Sequence, residues 1–352
     1  MKKKITGCLC GVLLLCGLLV ALVSLLVVGV VGCVGYSTVM APVVKSEHTV
    51  YVQVYPDYDT QRVGEELASA VKFRTMVGFA PLMKYYNYDA RVKPGNYAIR
   101  PGDSMRDICL RLLSGNQTPV KLVVPSVRTL DRLAGAVGKQ LMTDSVAVMN
   151  LLTDAHFLDS LGYTTETIPC LFVPNTYEVY WTISPEQFVA RMVRERSAFW
   201  TPARIAKAKA QGLTPNEVMT LASIVDEETI KNDEKPLVAG LYLNRLKRGM
   251  LLQADPTVKY ALGEFELRRI LYVHLQTDSP YNTYKYAGLP PGPIRIPSIS
   301  GIESVLNPAK HTYLYMCAKE DFSGYHNFAT TLSQHNDNAR RYQQALNKRG
   351  IR

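Results

Sequence analysis

From Ile5 to Val44 no residue carries a charge, and Gly11 to Val31 is dense in leucine and valine. About 20 apolar residues cross the hydrocarbon core of a bilayer, so this run predicts a transmembrane helix. Lys2, Lys3 and Lys4 precede it and the next charge is Lys45. That bias puts the N-terminus in the cytoplasm and everything beyond about residue 40 outside. Two processing alternatives stand beside the anchor. Val39-Met40-Ala41 has the small residues of a signal-peptide cleavage site, but the apolar stretch exceeds the 7–15 residues usual there. Val31-Gly32-Cys33 faintly resembles a lipoprotein site, again too far from the start. The uncleaved single span is the favoured reading.

After the span the pattern changes period. Val44 to Val54 ends in alternation and predicts a strand. Asp59 to about Val77 has helical spacing. Asn96 to Ile99 reads as a short strand, Pro101-Gly102 as a turn, and the next residues as a helix with Ile108, Leu112 and Leu113 inward, stopped at Ser114-Gly115. Val120 to Val124 returns as a strand. This strand–turn–helix resembles the small LysM-type glycan-binding module, although a Pro-Gly-Asp-Ser turn is also ordinary capping chemistry. Thr129 to about Phe199 is predicted mainly helical, broken at 168–177. Trp181 and the nearby tyrosines are assigned to core in preference to a sugar-stacking wall.

The next helix carries the chemistry. Thr214, Pro215 and Glu217 form a capping box with proline at the first helical position. At 100° per residue Val218, Leu221, Ala222 and Val225 share a face. Glu228 lies on the flank of that stripe, whereas Asp226 and Glu227 are expected to project away from it. Partial burial and the negative end of the helix dipole would both raise the pKa of Glu228. A carboxyl kept protonated near neutral pH suits a general acid for a glycosidic oxygen. A solvated helix-end glutamate is the alternative that this helix alone leaves open.

The polar residues that follow sit at element ends, where sites are usually built. A helix over 236–248 closes with Gly249, and Asp255-Pro256 is expected to cap another that ends at Gly263. Asn244, Gln253, Asp255 and Thr257 belong to these ends. Tyr281, Asn282, Thr283 and Tyr284 form a loop too polar for core, and Leu289 to Pro293 is a rigid turn.

Composition narrows the partners. Of seven cysteines, Cys8, Cys10, Cys16 and Cys33 lie in or beside the apolar run. Cys109, Cys170 and Cys317 lack metal-ligand spacing and read as small buried residues. No metal site and no cofactor is expected. The net charge of +10 favours acidic partners. No nucleic-acid recognition motif is present, and carboxylate-bearing envelope polymers fit the location better.

The strings Ala222 to Glu228, Asn244 to Leu246, Leu252 to Val258, Tyr281 to Tyr284, Gly288 to Ile294, Asn307 to Ala309 and Thr331 to Asn336 occur in an order that resembles one family. It is the membrane-anchored endolytic murein transglycosylases of the YceG-like, or MltG, type. The resemblance implies an α+β protein in three parts: a tip and anchor over 1–40, a LysM-like αβ module over 41–122, and a mixed, mainly helical YceG-like catalytic domain over 123–352. It implies cleavage of the β-1,4 bond between N-acetylmuramic acid and N-acetylglucosamine, leaving 1,6-anhydro ends. Glu228 aligns with the family's catalytic acid. Asn244, Gln253, Asp255, Thr257, Tyr281, Asn282 and Tyr284 become the expected sugar-binding set, and His326 and His335 are read as structural. The implied partners are peptidoglycan strands, the inner membrane and cell-wall synthases such as penicillin-binding proteins. Asp226 and Glu227 replace a glutamate and a lysine of the family pattern, Ile296-Pro297-Ser298 replaces its Asn-Pro-Gly, and Asn175 stands in place of an aspartate. Two other readings remain: a glycan-binding scaffold without chemistry, and a lysozyme-like hydrolase that uses water.

Overall fold

The computed structural model describes residues 2–267 and 269–350, with side chains from Leu15 onward. The chain divides into two compact units, one formed by residues up to 120 with 179–182, the other by 121–178 with 183 onward.

The first unit begins with helix α1 (Lys2–Val39), whose stretch Leu15–Val39 is long and apolar enough to cross a membrane. Strand β1 (Val50–Val54) pairs antiparallel with β2 (Gly95–Ile99), Val50 opposite Ile99 and Val54 opposite Gly95. Between them lie α2 (Thr60–Ala70) and α3 (Phe79–Tyr85), and α4 (Met105–Ser114) follows β2. The helix expected from Asp59 to about Val77 therefore stops at Ala70, and α3 begins only beyond that stretch. Buried Val71 is extended, and Phe73 bridges Val44, so tertiary pairing overrides the helical spacing there. The core gathers Val52, Val54, Val63, Leu67, Phe79, Met83, Tyr97, Ile108 and Leu112. Each such aliphatic or aromatic side chain contributes about 1.5–3 kcal/mol on burial. Ser104 and Asp107 close a reciprocal capping box on α4, and Gly115 ends the helix in the left-handed conformation. Trp181 is buried, as core.

In the second unit β3 (Val120–Val124) pairs with β4 (Asn175–Val179). The chain then runs through α5 (Leu130–Gly138), α6 (Ser145–Thr153), α7 (Ala155–Ser160), α8 (Pro185–Phe199), α9 (Pro202–Ala210) and α10 (Pro215–Glu228). Next come α11 (Lys235–Lys247), α12 (Asp255–Leu262), α13 (Tyr272–Leu275), α14 (Ile299–Leu306), the hairpin β5 (Tyr315–Ala318) and β6 (His326–Ala329), and α15 (Leu332–Lys348).

Helix α10 is the axis of this unit. Its capping box joins Thr214 and Glu217, with Pro215 at the first turn. Every residue from Val218 to Asp226 is buried, so the helix is enclosed on all sides instead of presenting one stripe. Helices α9, α11, α12 and α14 pack around it. Gly301 allows the approach of α14: a Cβ there would fall 2.5 Å from Asp226 Oδ1.

Candidate active site

Enclosure of α10 corrects the expected directions of its acids. Asp226 and Glu227 do not project into solvent, because α14 and the segment leading to it cover the face that helical spacing left open. Asp226 lies 2.7 Å from Lys235 Nζ, with their side chains 3% and 8% exposed. It also accepts from Ser298 N at 2.5 Å and Ser298 Oγ at 2.9 Å. Glu227 takes a bidentate pair from Arg128, both contacts at 2.8 Å, and a third from Arg295 at 3.0 Å. Both acids are thus neutralised by dedicated cations. Breaking such a buried pair from one side typically costs about 3–5 kcal/mol.

Glu228 is different. Among the described residues no cation pairs with it; its Oε1 accepts a 2.7 Å hydrogen bond from the Tyr242 hydroxyl. It lies on a cavity of about 250 Å³ that it shares with Leu241, Tyr242, Arg245, Gln253, Asp255, Tyr284 and His326. Partly open to solvent yet enclosed by protein, its carboxyl is pushed from 4.5 up to about 7, chiefly by burial. The Tyr242 bond and the charges of His326 and Arg245 pull it down, while the charge of Asp255 pushes it up. A carboxyl balanced near neutrality can give a proton and take one back.

Helix α11 supplies two cavity residues that the sequence reading did not select, Tyr242 and Arg245. They stand three apart, hence on one face. Arg245 is spent on positioning: it donates to the carbonyls of Leu314 at 2.6 Å and Leu252 at 2.7 Å. This ties β5 to the turn that carries Gln253. His326, expected to be structural, also faces the cavity. Its Nδ1 lies 2.9 Å from Glu234 Oε2, and its backbone N–H donates to Glu234 Oε1 at 2.7 Å. Glu234, buried, thereby fixes the ring with Nε2 as its free nitrogen. Arg245 follows Asn244 in the motif already singled out and Tyr242 stands just before that motif; for Glu234 and His326, far apart in sequence, no local pattern announces the pair.

Among the expected sugar-binding residues, Gln253, Asp255 and Tyr284 line the cavity with Glu228. Gln253 holds a left-handed backbone, φ 50°, which a residue other than glycine seldom adopts. Asp255 is not the helix cap it was expected to be. It is the first residue of α12, Ala254 holds the cap position without a side-chain bond, and the Asp255 carboxylate accepts from Tyr284 Oη at 2.5 Å.

Asn244, Thr257, Tyr281 and Asn282 lie behind the cavity wall. Asn244 Nδ2 donates to the carbonyls of His311 and Tyr313 at 2.9 and 3.1 Å. Thr257 and Thr283 share a buried 2.9 Å hydroxyl contact, and Ala254 N donates to Thr283 Oγ1 at 3.0 Å. Asn282 Nδ2 donates to Leu275 O and Thr277 O at 2.9 and 2.7 Å, and Tyr281 packs on Tyr260 at 4.7 Å between ring centroids. Thr257, Tyr281 and Asn282 hold the two loops that present Gln253, Asp255 and Tyr284, whereas Asn244 holds the 311–313 segment. Cys317, expected in the core, is half-buried and lines the cavity. Cys109 and Cys170 are buried, and burial pushes both thiols up to about 12. Among the described residues no His, Cys, Asp and Glu group is arranged to hold a metal ion.

Residues 52–341 match the profile of the YceG-like family. The chain is 30% identical over 332 residues to an endolytic murein transglycosylase of Streptococcus pneumoniae serotype 2 (strain D39), covering 84% of this chain and 60% of the relative. It thus spans less than two thirds of that relative's length. It is 28% identical over 302 residues to an endolytic murein transglycosylase of Bacillus subtilis (strain 168), covering 80% of this chain and 83% of that one. A crystal structure of a putative yceG-like protein from Listeria monocytogenes aligns with TM-score 0.55 at 31% identity, over 83% of this chain and 99% of the other.

Proposed function

Because the chain belongs to the YceG-like family, we propose that it is an endolytic murein transglycosylase whose proton shuttle is Glu228. One observation carries the assignment: a carboxyl that has no cationic partner among the described residues, raised to about 7, on a polar cavity. In the protonated state Glu228 gives its proton to the glycosidic oxygen as the bond from muramyl C1 breaks. The resulting carboxylate then takes the proton of the muramyl 6-hydroxyl, whose oxygen bonds to C1 and closes the 1,6-anhydro ring. The internal nucleophile takes the place of the water that a two-carboxylate glycosidase activates. Tyr242 orients the Glu228 carboxyl, while Gln253, Asp255 and Tyr284 face the sugar and stabilise the oxocarbenium-like state.

By the same reading α1 anchors the chain in the cytoplasmic membrane, with both units on its outer side. The segment from β2 through α4 is the LysM-like element that grips glycan, and a cell-wall synthase such as a penicillin-binding protein delivers the nascent strand. The net charge of +10 suits an anionic polymer.

Mass spectrometry of termini released from uncrosslinked glycan tests the reaction. Anhydromuramyl ends are the expected product. Reducing muramic acid ends would replace this mechanism with a water-using hydrolase, in which Asp255 is the second carboxylate. No new ends would leave a binding scaffold.

A further inference from the structure

No flexible linker separates α1 from the first unit. Arg74 Nη2 donates to the Ser37 carbonyl in the last turn of α1 at 3.0 Å. Gly78 lies so close that a Cβ there would stand 2.9 Å from the Thr38 carbonyl oxygen. The residues that follow the helix enter the core at once: Val43 and Val44 are buried. Val43 N donates to Asp103 O at 3.0 Å, and Arg74 N donates to Val43 O at 2.7 Å. Pro42 bridges Ser104, and Val44 bridges Phe73. The exit of α1 is therefore clamped between the 72–78 loop and the turn before α4.

Helix length sets the level of this clamp. From Lys4 to Tyr36 is about 48 Å at 1.5 Å per residue, against about 40–45 Å for a bilayer with its headgroups. A common tilt of about 20° closes most of that difference. With Lys2 to Lys4 at one surface, Tyr36 falls at the other, the interfacial depth that tyrosine favours. Around it the first unit exposes apolar side chains where a free surface would not favour them: Val77 is 74% exposed, Tyr36 64% and Met40 48%. Arg74, on the same loop as Val77, and Arg100 and Arg106, which flank the turn bridged to Pro42, are exposed too. Apolar tips among cations match a surface of anionic phospholipid.

We propose that this face of the first unit rests on the lipid bilayer, with Val77 and Met40 entering its polar–apolar boundary and Arg74, Arg100 and Arg106 meeting lipid phosphates. The proposal rests on the reading of α1 as a membrane anchor and adds a second, peripheral contact to it. The first unit is then held against the membrane surface and does not swing from a tether.

The test uses full-length Val77→Trp protein in vesicles of phosphatidylglycerol and phosphatidylcholine, with and without brominated acyl chains. Native Trp181 and Trp200, 2% and 6% exposed, give a constant background. The added tryptophan should shift to the blue and lose emission in brominated vesicles. Arg100→Glu with Arg106→Glu should reduce that loss, as should omission of phosphatidylglycerol. Asn116→Trp, beyond the far end of α4 and about 15 Å from Arg106, should keep its emission. Unquenched Val77→Trp in protein that floats with the vesicles overturns the contact and leaves the anchor standing. Protein that does not float overturns both.

Discussion

The Tyr242 hydroxyl donates a 2.7 Å hydrogen bond to Glu228 Oε1, and this bond favours the carboxylate over the acid. Asp255, in the same cavity, acts in the opposite sense, because its negative charge disfavours a second anion. A general acid must start protonated, so kcat/KM should fall as pH rises through the Glu228 pKa of about 7. Tyr242→Phe removes the bond and should move that descending limb to higher pH. Asp255→Asn removes the charge but keeps an acceptor for Tyr284, and should move the limb to lower pH. A neutral hydrogen bond of about 1 kcal/mol corresponds to somewhat under one pH unit. Opposite displacements of the two variants are the signature; a common direction would assign the limb to another group.

Glu228→Gln keeps size and an acceptor for Tyr242 but cannot shuttle a proton, so cleavage should fall by at least about 100-fold. Its stability should change the other way. The folded pKa is raised from 4.5 to about 7. Below pH 4.5 both states hold the proton and nothing is lost. Between those values the unfolded chain ionises while the folded protein does not, so the native protein loses stability as pH rises. The loss levels off above pH 7 at up to about 3 kcal/mol. Glu228→Gln escapes it. Thermal melts should show the variant gaining on the parent from about pH 5 to pH 7; a difference constant across that window would remove burial as the source of the raised pKa.

How much of this was legible in the sequence depends on whether a feature is local. The apolar run that forms α1, the capping box of α10, the Gly115 and Gly263 stops and the loops around Gln253 and Tyr284 are written in short strings. Glu228 itself stands out by spacing, but Asp226 and Glu227 project away from the apolar stripe into the open only if the helix is one-sided. Its covering face comes from α14 and from Arg128 and Arg295, distant in the chain, which no periodicity connects. Likewise Asn282 reads as a polar loop residue, whereas its amide is consumed by two backbone carbonyls. Polarity revealed the loop, but not which of its side chains turn outward.

Asp226 stands two residues before Glu228 in sequence, and its pair with Lys235 is almost sealed from solvent. Lys235→Met leaves a buried carboxylate with only Ser298 to satisfy it and should cost about 3–5 kcal/mol. Asp226→Asn combined with Lys235→Met removes both charges and should recover part of that loss. Urea denaturation of the two singles and the double gives the coupling. Additive losses would mean that the ion pair does not hold the end of α10 in place.

His326 and Glu234 set a test that separates support of the fold from tuning of the site. Glu234 accepts from both the backbone N–H and Nδ1 of His326, and the imidazole charge stabilises the Glu228 anion. His326→Gln should therefore displace the descending limb to higher pH, as Tyr242→Phe does. It keeps the backbone donor to Glu234, so the stability cost should stay near the about 1–3 kcal/mol of one unsatisfied buried acceptor. Glu234→Gln retains His326 and its cavity position but weakens the ring's anchor. It should lower kcat more than it raises KM, because the ring's orientation and not its presence is disturbed. Titrating kcat/KM of both variants, with circular dichroism for the fold, decides the matter: an unmoved limb in folded His326→Gln returns the histidine to a purely structural role.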